Sequence, residues 1–329
     1  MAAVFDLDEI DFSEYLRETE AQTKVRPASS WVESLKARMR TRQNERQAYL
    51  PWSKARDNFA FRPGEVTLWS GQNGHGKSLM TSQIALSLMG QGERVCVASF
   101  EMKPEATLQR MARMFIGMNP FSPEFQDNQG LAALDNLFEE FGEWTDGRLW
   151  LYDQMGTAEA GIVIGMARYC AKVLGIQHIF IDNLAKCVRG EDDYNGQKSF
   201  VDELTAVARD YQVHIHLVHH LKKPVNEHAI PDKHDNKGSG AITDQVDNVM
   251  MVWRNKAKED DVRSKGSLST KYGDPDHFLL CRKQRNYEGS SDGEPSITLW
   301  FHRDAQQYLA EQGDEPQFFP CWPHVKTGF

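Results

Sequence analysis

The sequence predicts an α/β fold, with a twisted, mostly parallel sheet flanked by helices. Three observations predict it. Apolar strand-like segments alternate with helix-like segments from residue 65 onward, which is the pattern of a parallel sheet. A glycine-rich loop at 71–78 follows a short apolar strand at 65–70 and opens a helix at 79–89. A second apolar strand, at 177–182, ends in an aspartate.

The glycine-rich loop has the chemistry of a phosphate-binding loop. It reads Gly71-Gln72-Asn73-Gly74-His75-Gly76-Lys77-Ser78 and fits the P-loop pattern. Its glycines let backbone N–H groups point at phosphate oxygens, and the following helix directs its positive dipole end at the same phosphates. We expect Lys77 to reach the β- and γ-phosphates of ATP and the Ser78 hydroxyl to hold Mg²⁺. The predicted nucleotide-binding residues of the loop are Gly71, Asn73, Gly74, Gly76, Lys77 and Ser78.

The second apolar strand adds a carboxylate to this prediction. Asp182 closes the run 177–181, so a buried strand delivers one carboxylate to its carboxyl end. In nucleotide sites such a carboxylate belongs to the Mg²⁺ shell. Many core strands end in aspartate, so the pattern is specific only because it follows a P-loop. Ser78 and Asp182 are therefore the predicted metal-binding residues.

Composition and charge limit the class of protein. The 329 residues are 40% hydrophobic and 26% charged, which supports one large core with at most a small appendage. No apolar run is long enough to span a bilayer, so we expect a cytoplasmic protein with no membrane partner. The five cysteines form no C-x-x-C pair, which argues against structural zinc and a disulfide framework. A net charge of −9 does not suggest a protein that binds nucleic acid over its whole surface. It does not exclude nucleic-acid binding either, because a ring or channel needs only a local basic lining.

Four segments are predicted from changes in composition. They are an acidic tail (1–28), a basic amphipathic linker helix (29–49), an α/β domain (50–305) and an irregular C-terminal tail (306–329). Residues 1–20 carry seven acidic side chains against one arginine, with aromatic residues interleaved. Such a segment is typical of a flexible, solvated tail, and the aromatic residues favour a second interpretation, in which it folds onto a partner.

The predicted linker helix has an apolar stripe. Trp31, Leu35 and Met39 recur at four-residue spacing. A single helix of four to five turns is marginally stable in water, so its stripe should dock on another surface. That surface belongs either to the helix's own domain or to a neighbouring subunit.

The histidines on the predicted strand at 213–218 allow another hypothesis. His214 and His216 alternate on one face, and a metal site with His219 or His220 is conceivable. The sequence offers no carboxylate or thiol partner at a suitable spacing. Packed or surface histidines are therefore the favoured interpretation.

Five short motifs, taken in order, resemble one family. They are Leu50-Pro51-Trp52, Ser99-Phe100-Glu101-Met102-Lys103-Pro104, His220-Leu221-Lys222, Gly238-Ser239-Gly240-Ala241-Ile242 and Lys283-Gln284-Arg285-Asn286. With the P-loop, they resemble the RecA-like motor domain of ring-shaped replicative helicases: the bacterial DnaB-like family, Twinkle-like helicases and phage primase-helicases. Each motif alone is weak, and the ordered set is specific. The resemblance covers about residues 50–305 and implies a RecA-like P-loop NTPase fold there.

The resemblance implies catalytic roles. Glu101 matches the carboxylate that activates the attacking water, and His220 matches the residue that senses the γ-phosphate. Arg285, with Lys283 as its basic companion, matches the arginine finger that reaches the next subunit's ATP site. The residues themselves support Glu101, because a carboxylate beside the P-loop strand can polarise a water in line with the γ-phosphate. Without the resemblance, Glu101 would be a surface glutamate, and Lys283 and Arg285 the side chains of a solvated edge strand.

Binding roles follow from the same resemblance. Arg254 and Phe301 fall where similar helicases sandwich the adenine base. The polar loops at 186–198 and 222–240 match those that line the DNA channel, and the linker helix resembles one that docks on the adjacent protomer. The predicted DNA contacts in the two loops are Lys186, Arg189, Lys222, Lys223, Lys233 and Lys237.

The function that the resemblance implies is an ATP-driven replicative helicase that moves on single-stranded DNA as a hexamer. The segment before residue 50 is too short for a DnaB collar domain or for the zinc-binding and primase domains of phage relatives. One role for residues 1–20 is then to recruit a loader, primase or polymerase. Two other functions stay open: a RecA- or RadA-like recombination ATPase that forms filaments, and a loading or regulatory ATPase that does not unwind DNA.

Overall fold

The computed structural model describes residues 25, 27–41, 47–188, 193–222, 228–232, 235–236, 240–286 and 296–319. The chain divides into two units, Met1–Arg46 and Gln47–Phe329. Among the described residues, no helix combines the length and apolar character that crossing a bilayer requires. The acidic segment 1–20 and the predicted DNA contacts Arg189, Lys223, Lys233 and Lys237 lie outside the described residues.

The described residues of the first unit form one short helix. A 3-10 turn, Ala28–Trp31, leads into α1, Val32–Thr41. Trp31 of the turn and Leu35 and Met39 of α1 are exposed, so the docking of the predicted apolar stripe stays a prediction. The predicted helical span to residue 49 is wrong at its end, because Ala48 and Tyr49 form a strand of the second unit.

The second unit is built on a nine-stranded sheet, and a two-stranded sheet precedes it along the chain. The small sheet pairs β1 (Ala48–Tyr49) with β2 (Ala60–Phe61). The strands of the large sheet are β3 (Val66–Gly71), β4 (Val95–Ser99), β5 (Leu149–Leu151), β6 (His178–Asp182), β7 (His214–His220), β8 (Asn248–Arg254), β9 (His277–Gln284), β10 (Ser296–His302) and β11 (Gln307–Leu309). Their order across the sheet is β11-β10-β9-β8-β3-β7-β6-β4-β5.

The strands from β8 to β5 are parallel, whereas β9, β10 and β11 join by antiparallel pairing. Strand β3 lies at the centre, and all six of its residues are buried, as expected for a parallel strand covered on both faces. The mostly parallel sheet flanked by helices confirms the predicted fold class. The antiparallel strands lie in the C-terminal part of the described chain.

Helices cover both faces of the sheet and create two apolar cores. The helices are α2 (Lys77–Gly90), α3 (Pro104–Ile116), α4 (Asn128–Thr145), α5 (Ala160–Lys172), α6 (Tyr194–Tyr211), α7 (Gly240–Gln245) and α8 (Lys256–Lys265). Adjacent residues of β3 alternate between the two cores: Trp69 packs in the core with α2, α3 and α4, and Leu68 packs in the core with α5 and α6.

Two predicted irregular segments contain regular structure. The predicted loop 186–198 ends in the first turn of α6, where the Asp193 side chain accepts a hydrogen bond from the backbone N–H of Gly196. The predicted C-terminal tail begins with β11, whose Tyr308 is almost fully buried. Three residues of strand carry too little periodicity to be recognised from sequence.

The histidines of β7 are packed into the core. His216 stacks on Phe180 with 3.9 Å between ring centroids, and its Nδ1 accepts a hydrogen bond from the Trp69 indole N–H (3.2 Å). Its Nε2 lies 3.0 Å from Nδ1 of His178. Within the described ranges, no group of three His, Cys, Asp or Glu side chains is arranged to hold a metal ion. The histidines therefore stabilise the sheet.

These buried histidines make stability depend on pH. His214 donates from Nδ1 to the carbonyl oxygen of Arg62 (2.8 Å), and its Nε2 lies 2.8 Å from the Thr67 hydroxyl. Burial lowers the pKa of His214 to about 4 and lowers the pKa of His216 well below its usual value. The folded pKa values lie below the unfolded value of about 6.5, so the unfolded state binds more protons in this range. The contribution of the two neutral histidines to the free energy of unfolding is therefore complete above about pH 6.5 and is lost as the pH falls toward 4.

We expect His214→Gln to flatten this pH dependence. Each buried neutral histidine should cost about 1.4 kcal/mol of unfolding free energy per pH unit below about pH 6.5. Glutamine keeps a donor and an acceptor and does not titrate, so the slope should fall by about that amount. Urea unfolding at pH 7.5, 6.0 and 5.0 measures it, with the exposed His228→Gln as control. An unchanged slope in His214→Gln would contradict the assignment.

Candidate nucleotide site

Four neighbouring strands end at the same edge of the sheet and bring the predicted site together. Across the sheet they are β3, β7, β6 and β4, and Gly71, His220, Asp182 and Ser99 occupy their carboxyl ends. The loops that follow these strands carry the P-loop, Asn183 and Glu101. In open α/β sheets this edge is where ligands bind.

The P-loop connects β3 to α2, which begins at Lys77. The Lys77 ammonium donates to the carbonyl oxygens of Gly71 (2.9 Å) and Gln72 (3.0 Å), so the side chain folds over its own loop. Gly76 precedes the helix with φ 86° and Gly74 has φ 78°, conformations that side chains other than glycine rarely adopt. The loop therefore surrounds the start of a helix, where backbone N–H groups remain available to an anion.

Two of the glycines are required by close contacts as well. An added Cβ on Gly76 would lie 2.0 Å from the Tyr308 hydroxyl, and one on Gly71 would lie 2.8 Å from the Val252 carbonyl oxygen. The Tyr308 hydroxyl donates to the carbonyl oxygen of Gly76 (3.2 Å). Tyr308 of the edge strand β11 thus supports the loop, although it lies 232 residues after Gly76 in the sequence. The sequence did not predict this contact. Asn73 is exposed at the tip of the loop.

The predicted metal ligands meet each other. The Ser78 hydroxyl donates to Oδ2 of Asp182 at 2.6 Å. Burial raises the pKa of the Asp182 carboxyl, the Ser78 hydrogen bond lowers it, and the negative charge of Glu101 raises it. A hydroxyl and a buried carboxylate in contact beside a P-loop are the oxygen ligands that Mg²⁺ prefers. The residues present therefore fit a magnesium ion.

Arg110 of α3 was missed by the sequence reasoning. It lines a small recess with Ser78, Asp182 and Thr107, and its positive charge lowers the pKa of Asp182. Burial in turn lowers the pKa of the Arg110 guanidinium. The carboxylate at the centre of the site is therefore flanked by two positive charges, Arg110 and Lys77.

Glu101 and His220 are joined by a residue that the sequence reasoning also missed. The amide nitrogen of Asn183 lies 2.7 Å from Oε1 of Glu101 and 2.9 Å from Nε2 of His220. The Glu101 Oε1 and His220 Nε2 atoms are 4.0 Å apart. The predicted water-activating carboxylate and the predicted phosphate sensor therefore form one cluster. The position of Asn183 directly after Asp182 was the available signal.

A cavity of about 640 Å³ lies beside the P-loop. Arg254 and Phe301, the predicted base-binding pair, both line it, together with Tyr308 and His277. Arg254 donates from Nε to Glu259 (2.5 Å) and from a terminal nitrogen to the Gly74 carbonyl oxygen (3.2 Å). The guanidinium is therefore held in place next to the loop. The volume of the cavity suits a small-molecule ligand such as a nucleoside.

Lys283 and Arg285 lie at the opposite edge of the sheet. The Lys283 ammonium donates to the carbonyl oxygens of Thr243, Asp244 and Val246. Arg285 contacts Oδ1 of Asp247 (3.3 Å) and the Asp244 carbonyl oxygen (2.7 Å).

Asp247 lies next to the first residue of β3, because its Oδ2 accepts a hydrogen bond from the Val66 N–H. A six-residue strand is about 20 Å long. Arg285 is therefore about one strand length from the P-loop of its own chain.

Two of the predicted DNA contacts lie at the carboxyl edge near the nucleotide site. Lys186 ends a 3-10 turn, Leu184–Lys186, that follows β6, and the exposed Lys222 follows β7. The Lys222 backbone N–H donates to the Asp235 carbonyl oxygen (2.8 Å). The two lysines thus share an edge with Glu101 and His220.

The fold and the site define a class. A P-loop at the end of the central strand, beside an aspartate in contact with the P-loop serine, is the architecture of a P-loop nucleotide-binding domain. Residues 35–226, which are 192 of the 329, match a family model described as an AAA domain. The chain belongs to this AAA domain family.

Two solved structures share the fold. A DnaB-like replicative helicase, solved in a study of its interactions with primase, aligns with 91% of this chain and 71% of its own, at 16% identity and a TM-score of 0.67. The other structure is an ATPase domain, which aligns with 86% of this chain and 99% of its own, at 16% identity and a TM-score of 0.69. The second unit therefore has the RecA-like fold of DnaB-like helicase motor domains.

Proposed function

We propose that this chain is an ATP-hydrolysing DNA helicase that moves along single-stranded DNA as a ring, most simply a hexamer, in the cytoplasm. The observation that carries the proposal is the row of groups along one sheet edge: the P-loop, the Ser78–Asp182 pair, and Glu101 with His220. Each group has a part in phosphoryl transfer, and they lie on adjacent strands.

In this proposal Lys77 and the P-loop backbone bind the β- and γ-phosphates of ATP. Ser78 and Asp182 would hold Mg²⁺, which supplies positive charge to the phosphate oxygens when bound. Glu101 accepts a proton from the attacking water, because a carboxylate acceptor is the general base that the site offers. Arg254 and Phe301 take the base between a guanidinium and an aromatic face.

The position of Arg285 supports a ring or another oligomer. At about one strand length from its own P-loop, it serves as an arginine finger only by reaching a neighbouring subunit's site. Lys283 would hold the same segment against α7 through its three carbonyl contacts.

Unwinding of a forked DNA duplex with ATP and Mg²⁺ tests the proposal, with Lys77→Ala as the inactive control. Strand separation by the wild type but not by Lys77→Ala supports a helicase. ATP hydrolysis without unwinding would favour a loading or regulatory ATPase. Filaments rather than rings in negative-stain images with ATP and DNA would favour a recombination ATPase.

The basic residues at the carboxyl edge give a salt-dependence prediction. Lys186→Ala and Lys222→Ala should each lower the slope of log affinity against log salt by about 0.7, because each lost phosphate contact releases one counterion fewer from a single strand. Fluorescence anisotropy with labelled oligo(dT) from 50 to 200 mM salt measures it. Lys172→Ala, an exposed lysine at the end of α5, is the control. If slopes and affinities of both variants match the wild type, another surface binds DNA.

The exposed stripe of α1 gives an assembly prediction. If Trp31 and Leu35 pack on a neighbouring subunit, Trp31→Asp with Leu35→Asp should reduce the protein to mainly monomers at micromolar concentration, because a buried unpaired charge is costly. Light scattering measures the mass. Ala37→Asp adds a charge to the opposite face of the helix and should leave the mass unchanged. An unchanged mass for the double variant would mean that the stripe serves its own domain.

A further inference from the structure

The Asn183 side chain occupies an unusual position between two groups of the nucleotide site. It is 1% exposed, and its single amide nitrogen faces both Oε1 of Glu101 (2.7 Å) and Nε2 of His220 (2.9 Å). Within the described part of the chain, its Oδ1 is buried without a hydrogen-bond partner. The amide nitrogen of Asn183 thus has two partners, whereas its oxygen has none among the described residues.

The orientation of this amide follows from Glu101. An ionised carboxylate only accepts hydrogen bonds, so the neighbouring amide must present its NH₂ group rather than its oxygen. The NH₂ group has two hydrogens, one for each of the two acceptors. A donor to Nε2 also requires that Nε2 of His220 carry no proton, which places the proton of the neutral ring on Nδ1.

The partners of the amide nitrogen argue against a purely structural role. Both Glu101 and His220 are residues of the predicted site, and neither belongs to the apolar cores. Asparagine at this position therefore contributes through the two side chains that its nitrogen contacts.

We propose that Asn183 is a positioning residue that orients Glu101 and fixes the tautomer of His220. This inference rests on the proposed ATP hydrolysis. One amide holds the water-activating carboxylate and the phosphate-sensing histidine in a common geometry. It also couples them, because both hydrogen bonds come from one NH₂ group.

The tautomer can be tested without any enzymatic activity. In ¹⁵N-histidine-labelled wild-type protein, NMR distinguishes Nδ1–H from Nε2–H rings, and the signals missing in His220→Gln identify His220. We expect the Nδ1–H form in the wild type near neutral pH and a mixture of forms in Asn183→Ala. A wild-type His220 with its proton on Nε2 would overturn the proposal.

Kinetics test the effect on Glu101. Asn183→Ala should lower kcat by about tenfold to a hundredfold, the usual loss when a partner that orients a functional group is removed. KM for ATP should change less than about threefold, because Asn183 is not placed against the nucleotide. In Asn183→Asp a second carboxylate faces Glu101, so the acid limb of the pH–rate profile should move to higher pH by about one unit or more.

Asn248→Ala is the matched control. Asn248 is also fully buried, donates to a carboxylate (Glu65, 2.9 Å) and has a buried, unpartnered Oδ1 within the described residues, but it lies at the opposite edge of the sheet. Its loss should lower the melting temperature and leave the acid limb in place. Asn183 variants with a wild-type kcat and acid limb would overturn the proposal. A wild type that does not hydrolyse ATP would instead overturn the proposed function, and the tautomer result would still decide the role of Asn183.

Discussion

Lys77→Ala is expected to reduce ATP hydrolysis to less than about one hundredth of the wild-type rate. Removing one fixed donor from a site that stabilises developing negative charge costs about 10²–10³ in rate. Lys77 is 7% exposed and donates within its own loop, to Gly71 and Gln72. Its loss therefore changes the loop and leaves the two cores intact, and circular dichroism should be unchanged. Steady-state phosphate release with saturating ATP and Mg²⁺ measures the rate.

A second lysine variant separates this effect from a general loss of lysine contacts. Lys54 is also partly buried and donates to a backbone carbonyl, that of Ala310, and to the Thr298 hydroxyl (3.3 Å). Lys54→Ala should keep the wild-type rate, because none of these atoms belongs to the nucleotide site. If purified, folded Lys77→Ala still turns over ATP, the site is not at the P-loop.

Two individually inactive variants should regain ATPase activity when they are mixed. Arg285→Ala lacks the finger and should bind ATP almost normally, while its hydrolysis falls by about 10³–10⁵. Lys77→Ala has a defective P-loop and an intact finger. In a mixed ring, some sites combine the intact P-loop of the first variant with the intact finger of the second. Random mixing in equal amounts places about a quarter (half times half) of the interfaces in that arrangement.

The structure makes this experiment decisive for the direction of action. Arg285 contacts Asp247 at the beginning of β3, and the P-loop follows the end of the same strand. A finger acting on its own P-loop would have to cross about 20 Å. Restored activity therefore reports a site shared between two subunits.

Arg209→Ala is the matched control for Arg285→Ala. Arg209 also approaches Oδ1 of Asp247, at 3.8 Å, so its loss disturbs the same carboxylate without removing the finger. It should keep the wild-type rate alone and need no complementation. If fluorescence shows subunit exchange and no activity returns on mixing, Arg285 does not act in trans.

Most of the fold was predictable because its signals are local. The alternation of apolar strands and helices gave the parallel block of the sheet, and the apolar run ending in Asp182 gave β6. Tertiary contacts decide the parts that were missed. Strand β11 is three residues long and is held by Gln83, whose side chain pairs with both backbone groups of Tyr308 (2.7 and 2.9 Å). No periodicity in sequence records such a contact.

The positions of the predicted site residues in the fold could be expected to the same extent. Motifs gave Lys77 and Ser78, and the resemblance gave Glu101 and His220, whose placement at one edge of the sheet follows from their strand ends. Asn183 and Arg110 were missed, because their importance depends on neighbours that are distant in sequence. The roles of Arg285 and of the two basic loops stay predictions, since a neighbouring subunit and a DNA strand decide them.

The central position of β3 has a consequence for biosynthesis. Residues 66–71 leave the ribosome well before both neighbours of the strand, residues 214–220 and 248–254. The tyrosine that supports the loop, Tyr308, follows later still. Pairing over such separations is slow, and an unpaired apolar strand is prone to aggregation. A nascent chain therefore exposes its future phosphate loop until these later residues have been translated.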